Sequence, residues 1–320
     1  QSFEDHGMRQ ASTTRRQLLR QGAAAALGCG LPAAWADTVA AGGPVVLQDA
    51  LGRRVEIAAP PQRIVSIFAS NTELVAALGL LDRVVGVEDF TRFPPGVERI
   101  PKVGGRLGFS VDAVVARQPD LVIVTPARQA AHQLVDPMER IGVPVMVLLS
   151  RSLAEVLANL RLVARATGVQ ARGQALATAQ EARLLRVDRL VAGQPRPRAL
   201  MVTGRLGNGM LLAARPGTYT GEAMVRAGAA FALDGLGTVP QVSPEAVLAA
   251  DPDVLLFAGT QEAMQDLIGQ RGWRDLRAVR GGRATTVARA EFLIPGPRTF
   301  GGVEKLSRWL HPAAWAGEAA

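Results

Sequence analysis

From about Val45 onward, short and nearly continuous apolar runs alternate with longer stretches whose apolar residues recur at helical spacing. The runs at 63–68, 84–87, 121–125 and 143–149 in the first half predict strands, as do 199–203, 254–258 and 284–287 in the second. Ser70-Asn71-Thr72-Glu73 reads as a helix start, and Gly79 as the C-cap that closes it after Leu78. Strands separated by helices predict α/β lobes with mostly parallel sheets. Between the halves, residues 152–192 keep helical periodicity with a break around Gly168, and Gln194-Pro195-Arg196-Pro197 ends it. The stretch 169–192 would span about 36 Å at 1.5 Å per residue, long enough to join two lobes. The expected organisation is a leader at 1–36, a first lobe at 37–168, a single long connecting helix at 169–194 and a second lobe at 195–320.

An internal repeat supports two lobes of similar build. Ser110-Val111-Asp112-Ala113-Val114, running on to Pro119-Asp120-Leu121-Val122, aligns without gaps with Ser243-Pro244-Glu245-Ala246-Val247, running on to Pro252-Asp253-Val254-Leu255, at an offset of 133 residues. Each copy reads as a serine N-cap, an acid in the first helical turn, Pro-Asp, and a buried strand. Two such lobes present two acidic points, Asp112 and Glu245, related by approximate two-fold symmetry.

Composition adds bounds. The 320 residues are 48% hydrophobic and 20% charged, which suits a folded chain with room for two cores. The net charge of +8 is carried almost wholly by arginine, since Lys102 and Lys305 are the only lysines. The arginines are scattered and aromatics are only 4%, so neither a basic stripe nor a stacking platform for nucleic acid is expected.

The N-terminal segment has the three parts of a bacterial export signal. Arg15 and Arg16, followed by Gln17-Leu18-Leu19, resemble a twin-arginine motif; a short apolar run follows, then Ala34-Trp35-Ala36 as an A-x-A cleavage site. Met8 is the expected start of translation. The apolar run is well short of the roughly 20 residues a membrane span needs. Cys29, within Ala26-Leu27-Gly28-Cys29, offers lipoprotein anchoring as the alternative to cleavage after Ala36. Cleavage after Ala36 leaves no thiol and two histidines, His132 and His311, too few for a dedicated zinc cluster. The expected location is the periplasm.

A series of short motifs runs along the chain: Asp49-x2-Gly52-Arg53-x-Val55, Pro61-x-Arg63-Ile64-Val65-Ser66, Ser70-Asn71-Thr72-Glu73, Asp82-Arg83-Val84-Val85-Gly86-Val87, Pro94-Pro95, Pro101-Lys102-Val103-Gly104-Gly105, Gln118-Pro119-Asp120-Leu121 and Pro295-Gly296-Pro297-Arg298. As an ordered set they resemble the substrate-binding proteins of ABC importers for iron siderophores, haem and cobalamin. The resemblance implies two α/β lobes joined by one long helix, with the ligand in the cleft and little hinge motion; a monomer is expected. No covalently bound cofactor is expected, and the expected ligand is an iron(III) chelate. The resemblance also implies that one carboxylate per lobe, here Asp112 and Glu245, docks onto arginines of the importer's transmembrane subunits. Each such exposed pair is worth about 0.2–1 kcal/mol and serves orientation more than affinity.

The resemblance also separates ligand classes. The haem branch uses a tyrosine ligand in the first lobe, whereas the only tyrosine here is Tyr219, in the second. The cobalamin branch lines its cleft with tryptophans at positions that are Arg106, Thr125 and Val239 here. The ferric-hydroxamate branch places an arginine where Arg106 stands, and Arg128 falls at a second ligand position. Two guanidinium groups suit an anionic chelate, because arginine offers planar, bidentate donors. Arg205 and Asn208, in a glycine-rich loop, and Tyr219 are further ligand-binding candidates. The reading is therefore the binding component that captures a ferric siderophore-type chelate and hands it to a permease, with cobalamin and then haem as alternatives. A secreted enzyme using Glu73, Asp89 and Glu291 is the rival class; no nucleophile elbow, paired histidines or metal cluster accompanies them.

Overall fold

The computed structural model describes residues 43–318, except 106–107, 126–129, 234 and 236–240. In the first lobe the chain forms β1 (Val45–Gln48), β2 (Arg54–Ile57), β3 (Ile64–Ile67), α1 (Ala69–Ala77), β4 (Val84–Glu88), β5 (Lys102–Gly105), β6 (Gly108–Phe109), α2 (Val111–Val115), β7 (Leu121–Val124), α3 (Ala130–Arg140), β8 (Val145–Val147) and α4 (Leu153–Ala166). Strands β3 and β7 are buried at every position, which explains their unbroken apolar sequence: both faces of a parallel sheet are covered. The sheet order is β6-β5-β4-β3-β7-β8, parallel throughout except for β5–β6.

Helix α5 (Gln170–Val191) follows, about 33 Å long at its 22 residues. Gly168, at φ +79°, turns the chain from α4 into it. Gly173 lies inside α5, yet the helix passes through it unbroken. A Cβ there would stand 2.1 Å from that of Ala164, so the glycine permits the close crossing of α4 and α5.

The second lobe contains β9 (Arg198–Arg205), β10 (Leu211–Ala213), α6 (Tyr219–Arg226), β11 (Ala230–Phe231), β12 (Gln241–Val242), α7 (Pro244–Ala250), β13 (Val254–Ala258), α8 (Gln261–Ile268), α9 (Arg277–Arg280), β14 (Ala284–Val287), α10 (Arg289–Phe292), α11 (Arg298–Leu310) and α12 (Pro312–Trp315). Its sheet order is β12-β10-β9-β13-β14, with β11 also on β9. This sheet is mixed: β9, β13, β14 and β11 pair in parallel, but β10 is antiparallel to both β9 and β12. The glycine-rich loop is the reason. Leu206 N–H donates to Met210 O at 2.8 Å and Gly209 takes φ +83°, so residues 206–210 form a hairpin tip that returns the chain beside β9.

The repeat read from the sequence is reproduced in three dimensions. Ser110 and Ser243 cap α2 and α7, each accepting from the N–H three residues on at 3.2 Å. Gln118 and Asp251 occupy equivalent turns and both take positive φ, +48° and +39°. Asp120 then accepts from the N–H groups of Gln62 and Arg63 at the start of β3, and Asp253 from Arg198 N–H at the start of β9. Pro-Asp is thus the joint that fixes the β7 and β13 registers.

One apolar cluster runs through both lobes, from Ile64 and Leu74 through Leu160 and Val187 to Met201, Met224 and Val303; two satellite clusters cover the far faces of the sheets. The lobes are also tied by a carboxylate: Glu222 of α6 accepts from Leu153 N–H at 2.8 Å and so caps α4 from the opposite lobe. A shared core of this kind resists wide opening.

Candidate functional site

The carboxyl ends of parallel strands leave a crevice where ligands bind in open α/β sheets. In the first lobe, Ser66, Asn71 and Thr72 are buried polar groups near these ends, and each finds a hydrogen-bond partner. Asn71 donates to Ile67 O at 2.7 Å and accepts from the Thr125 hydroxyl at 3.2 Å, while Ser66 and Thr72 share a hydrogen bond at 2.9 Å. Helix α1 therefore begins without the side-chain cap expected from Ser70; its preceding residue is Phe68, with φ +87°.

Where the lobes meet, Glu73 of α1 is paired with Arg298 of α11. Arg298 Nε donates to Glu73 Oε2 at 3.0 Å, and a second guanidinium nitrogen donates to Oε1. The Glu73 side chain is 1% exposed, that of Arg298 28%. Burial pushes the Glu73 carboxyl above its ordinary value, while Arg298 pulls the other way. The Arg298 guanidinium also stacks on the Phe93 ring, 4.0 Å from its centroid. The Pro295-Gly296-Pro297-Arg298 motif is explained here, because a Cβ on Gly296 would lie 2.9 Å from Glu73 Oε2. These groups border a cavity of about 530 Å³ lined from both lobes by Ala76, Phe93, Pro94, Arg183, Pro297 and Lys305, among others.

Of the second-lobe candidates, Arg205 is exposed at the end of β9 and Asn208 is exposed on the hairpin tip. Asn208 Oδ1 accepts from Met210 N–H at 3.1 Å, which gives it a role in the turn itself. Tyr219 is the first residue of α6, and burial pushes its hydroxyl up to about 12. Arg289, which sequence reasoning passed over, donates to Thr203 O at 3.2 Å and Ala258 O at 3.1 Å, pinning the ends of β9 and β13. Arg106, Arg128 and Val239, and the residues expected to form the leader, Arg15, Arg16, Cys29, Ala34 and Ala36, lie outside the described residues. Asp112 and Glu245 are exposed in the first turns of α2 and α7. Hydrogen bonds at the α7 N-terminus hold Glu245 below the ordinary carboxylate value.

Sequence reasoning also missed three exposed phenylalanines at the carboxyl edge of the first lobe: Phe68 after β3, and Phe90 and Phe93 after β4, at 36%, 55% and 37% exposure. Thr125 is not a tryptophan, but strand register sets Phe68 beside it, at the end of the neighbouring strand. Apolar residues in loops give no periodic signal, so only their placement marks them.

Comparison with known proteins settles the family. A sequence profile described as periplasmic binding protein matches residues 64–288. The chain belongs to the periplasmic binding protein family. An uncharacterised ABC transporter substrate-binding lipoprotein of Bacillus subtilis, YvrC, is 27% identical over 305 residues, 89% of this chain and 92% of the relative. A vitamin B12-binding protein of Vibrio cholerae is 25% identical over 256 residues, 78% of this chain and 90% of the relative. Among solved structures, the periplasmic heme-binding protein RhuT from Roseiflexus superposes with a TM-score of 0.69 at 29% identity, covering 79% of this chain and 99% of that one. Membership explains the pair of lobes and the cleft between them, and it makes this chain a binding protein of the cobalamin, haem and siderophore importer type.

The relatives are substrate-binding transport proteins rather than enzymes. Of the residues singled out for the enzyme reading, Glu73 is engaged by Arg298 and Glu291 by Lys305. Among the described residues, no group of three or more histidine, cysteine or acidic side chains is placed to hold a metal ion, and no helix is long and apolar enough to cross a membrane.

Proposed function

We propose that this binding protein captures a bulky metal chelate of the ferric siderophore type between its lobes and delivers it to the transmembrane subunits of an ABC importer. The observation that carries this reading is the junction of Arg298 with Phe93 above a cavity of about 530 Å³, where cationic and aromatic surfaces meet across the lobes. A chelate has both complements: anionic oxygens for guanidinium groups and an organic body for the rings. Arg106 and Arg128 join Arg205, Asn208 and Tyr219 as proposed ligand contacts, with Asp112 and Glu245 as the docking acids. The leader would direct the chain to the periplasm.

Cobalamin is the second reading, favoured by the exposed phenylalanines and by the vitamin B12-binding relative. Calorimetric titration of the full-length chain with ferrichrome, a ferric tris-catecholate, ferric citrate, cyanocobalamin and haemin tests both. Tight binding of a ferric siderophore supports the first reading and tight binding of cyanocobalamin the second. Failure to bind any of the five removes the chelate reading. Tryptophan emission is a poor reporter, because Trp273 and Trp315 are buried in the cores and Trp309 lies on α11.

A further inference from the structure

The turn between β3 and α1 places a bulky aromatic residue where glycine would be the least strained choice. Phe68 takes φ +87° and ψ 133°, a region that residues with a Cβ rarely adopt. The backbone around it is fixed on every side. Its N–H donates to Glu88 Oε2 at 2.9 Å, and its carbonyl accepts from Asn71 N–H at 3.0 Å and Thr72 N–H at 3.3 Å. Asn71, itself held by Thr125, binds the carbonyl of Ile67 just before it.

The ring takes no part in this anchoring, and at 36% exposure it does not fill the core. The other two described residues with positive φ and a side chain, Gln118 and Asp251, are small or polar and serve the paired Pro-Asp turns. Phe68 is different: strain is sustained for a side chain that lies outside the core clusters and stays partly exposed, the pattern of a functional position. Its neighbours point the same way. Glu88 binds both the Phe68 N–H and the Thr91 hydroxyl, and Thr91 lies between Phe90 and Phe93, so one carboxylate organises the segments that carry all three exposed rings.

We infer that Phe68 is a specificity-determining residue of the cleft, presented by its strained turn so that its ring stacks on a flat conjugated face of the ligand's organic framework. This rests on the metal-chelate reading and narrows it. The shared chemistry is a π face, supplied either by a tetrapyrrole-like macrocycle or by the aromatic rings of a catecholate.

The test compares wild type, Phe68→Gly and Phe68→Trp as full-length chains. Glycine relieves the backbone strain while deleting the ring; tryptophan keeps a flat ring. The probes are haemin, cyanocobalamin, a ferric tris-catecholate and ferrichrome, whose aliphatic hydroxamates offer no aromatic face. The expected result is that at least one π-faced probe binds wild type more tightly than ferrichrome does. Phe68→Gly should weaken that probe at least tenfold with the melting temperature unchanged or raised, and Phe68→Trp should stay within about threefold of wild type. Which probe responds distinguishes macrocycle from catecholate. Undiminished binding by Phe68→Gly overturns the inference and leaves the chelate reading intact, as does a wild-type preference for ferrichrome. Equal weakening of every probe by Phe68→Gly also overturns it, since that marks a structural residue. If no probe binds wild type, both readings fall.

Discussion

Removing Arg298 should expose how far the two lobes depend on one buried charge pair. In Arg298→Ala the Glu73 carboxylate, 1% exposed, loses its cationic partner and is left as a buried, unpaired charge. Breaking a buried pair from one side costs about 3–5 kcal/mol. Arg298 is itself 28% exposed, so water enters in its place and the low end, about 3 kcal/mol, is expected. The lost stacking on Phe93 adds about 0.5–1 kcal/mol. Together these should lower the melting temperature by roughly 6 °C or more.

The pH dependence carries a second signature. Burial already raises the native Glu73 value above its ordinary 4.5, and loss of Arg298 raises it further. Between the unfolded and native values the native state binds more protons, so stability rises as pH falls through that window. The deficit of Arg298→Ala should therefore be largest at neutral pH and shrink toward pH 4.5. Adding Glu73→Gln should recover much of the loss, because a neutral amide tolerates burial without a counter-charge. Urea unfolding at several pH values measures all three. A deficit below about 1 kcal/mol, no dependence on pH, or no recovery in the double variant would refute the reasoning.

Three further outcomes are expected. Asp112→Ala and Glu245→Ala should leave ligand affinity unchanged in titration yet reduce uptake by whole cells, more than additively when combined; a large affinity loss in either would place that acid in the cleft or the fold. His311 is buried with its Nε2 3.1 Å from Gly228 O, and burial holds its value below the ordinary 6.5. The unfolded chain then binds the extra proton first, so native stability should fall as pH drops below about 6.5, and His311→Gln should flatten that part of the profile in thermal melts. Arg15→Lys with Arg16→Lys should leave precursor in the cytoplasm on fractionation, and normal export of the double variant would remove the twin-arginine reading.

Much of the architecture was legible because it is written in local periodicity. The fully buried strands β3, β7 and β13 are unbroken apolar runs, and α5 shows its helical spacing and its Gly-Pro boundaries without reference to anything else in the chain. The offset repeat was legible for a related reason: each copy is a self-contained unit of cap, short helix, Pro-Asp turn and strand, so its chemistry lies within a few consecutive residues. The antiparallel β10 was not legible, because a three-residue strand has too few positions to show alternation and its pairing is fixed by the Leu206–Met210 hairpin bond.

The site divides along the same line. Sequence alone determined which acids are equivalent, Asp112 and Glu245, and which motifs mark the family. Only tertiary structure brought Glu73 to Arg298, 225 residues away in the chain, set that guanidinium on Phe93, and gathered Phe68, Phe90 and Phe93 at one sheet edge. Periodicity and capping act over a few residues and leave their trace in sequence, whereas a buried ion pair or a rim of loop side chains depends on segments that meet only when the cores pack.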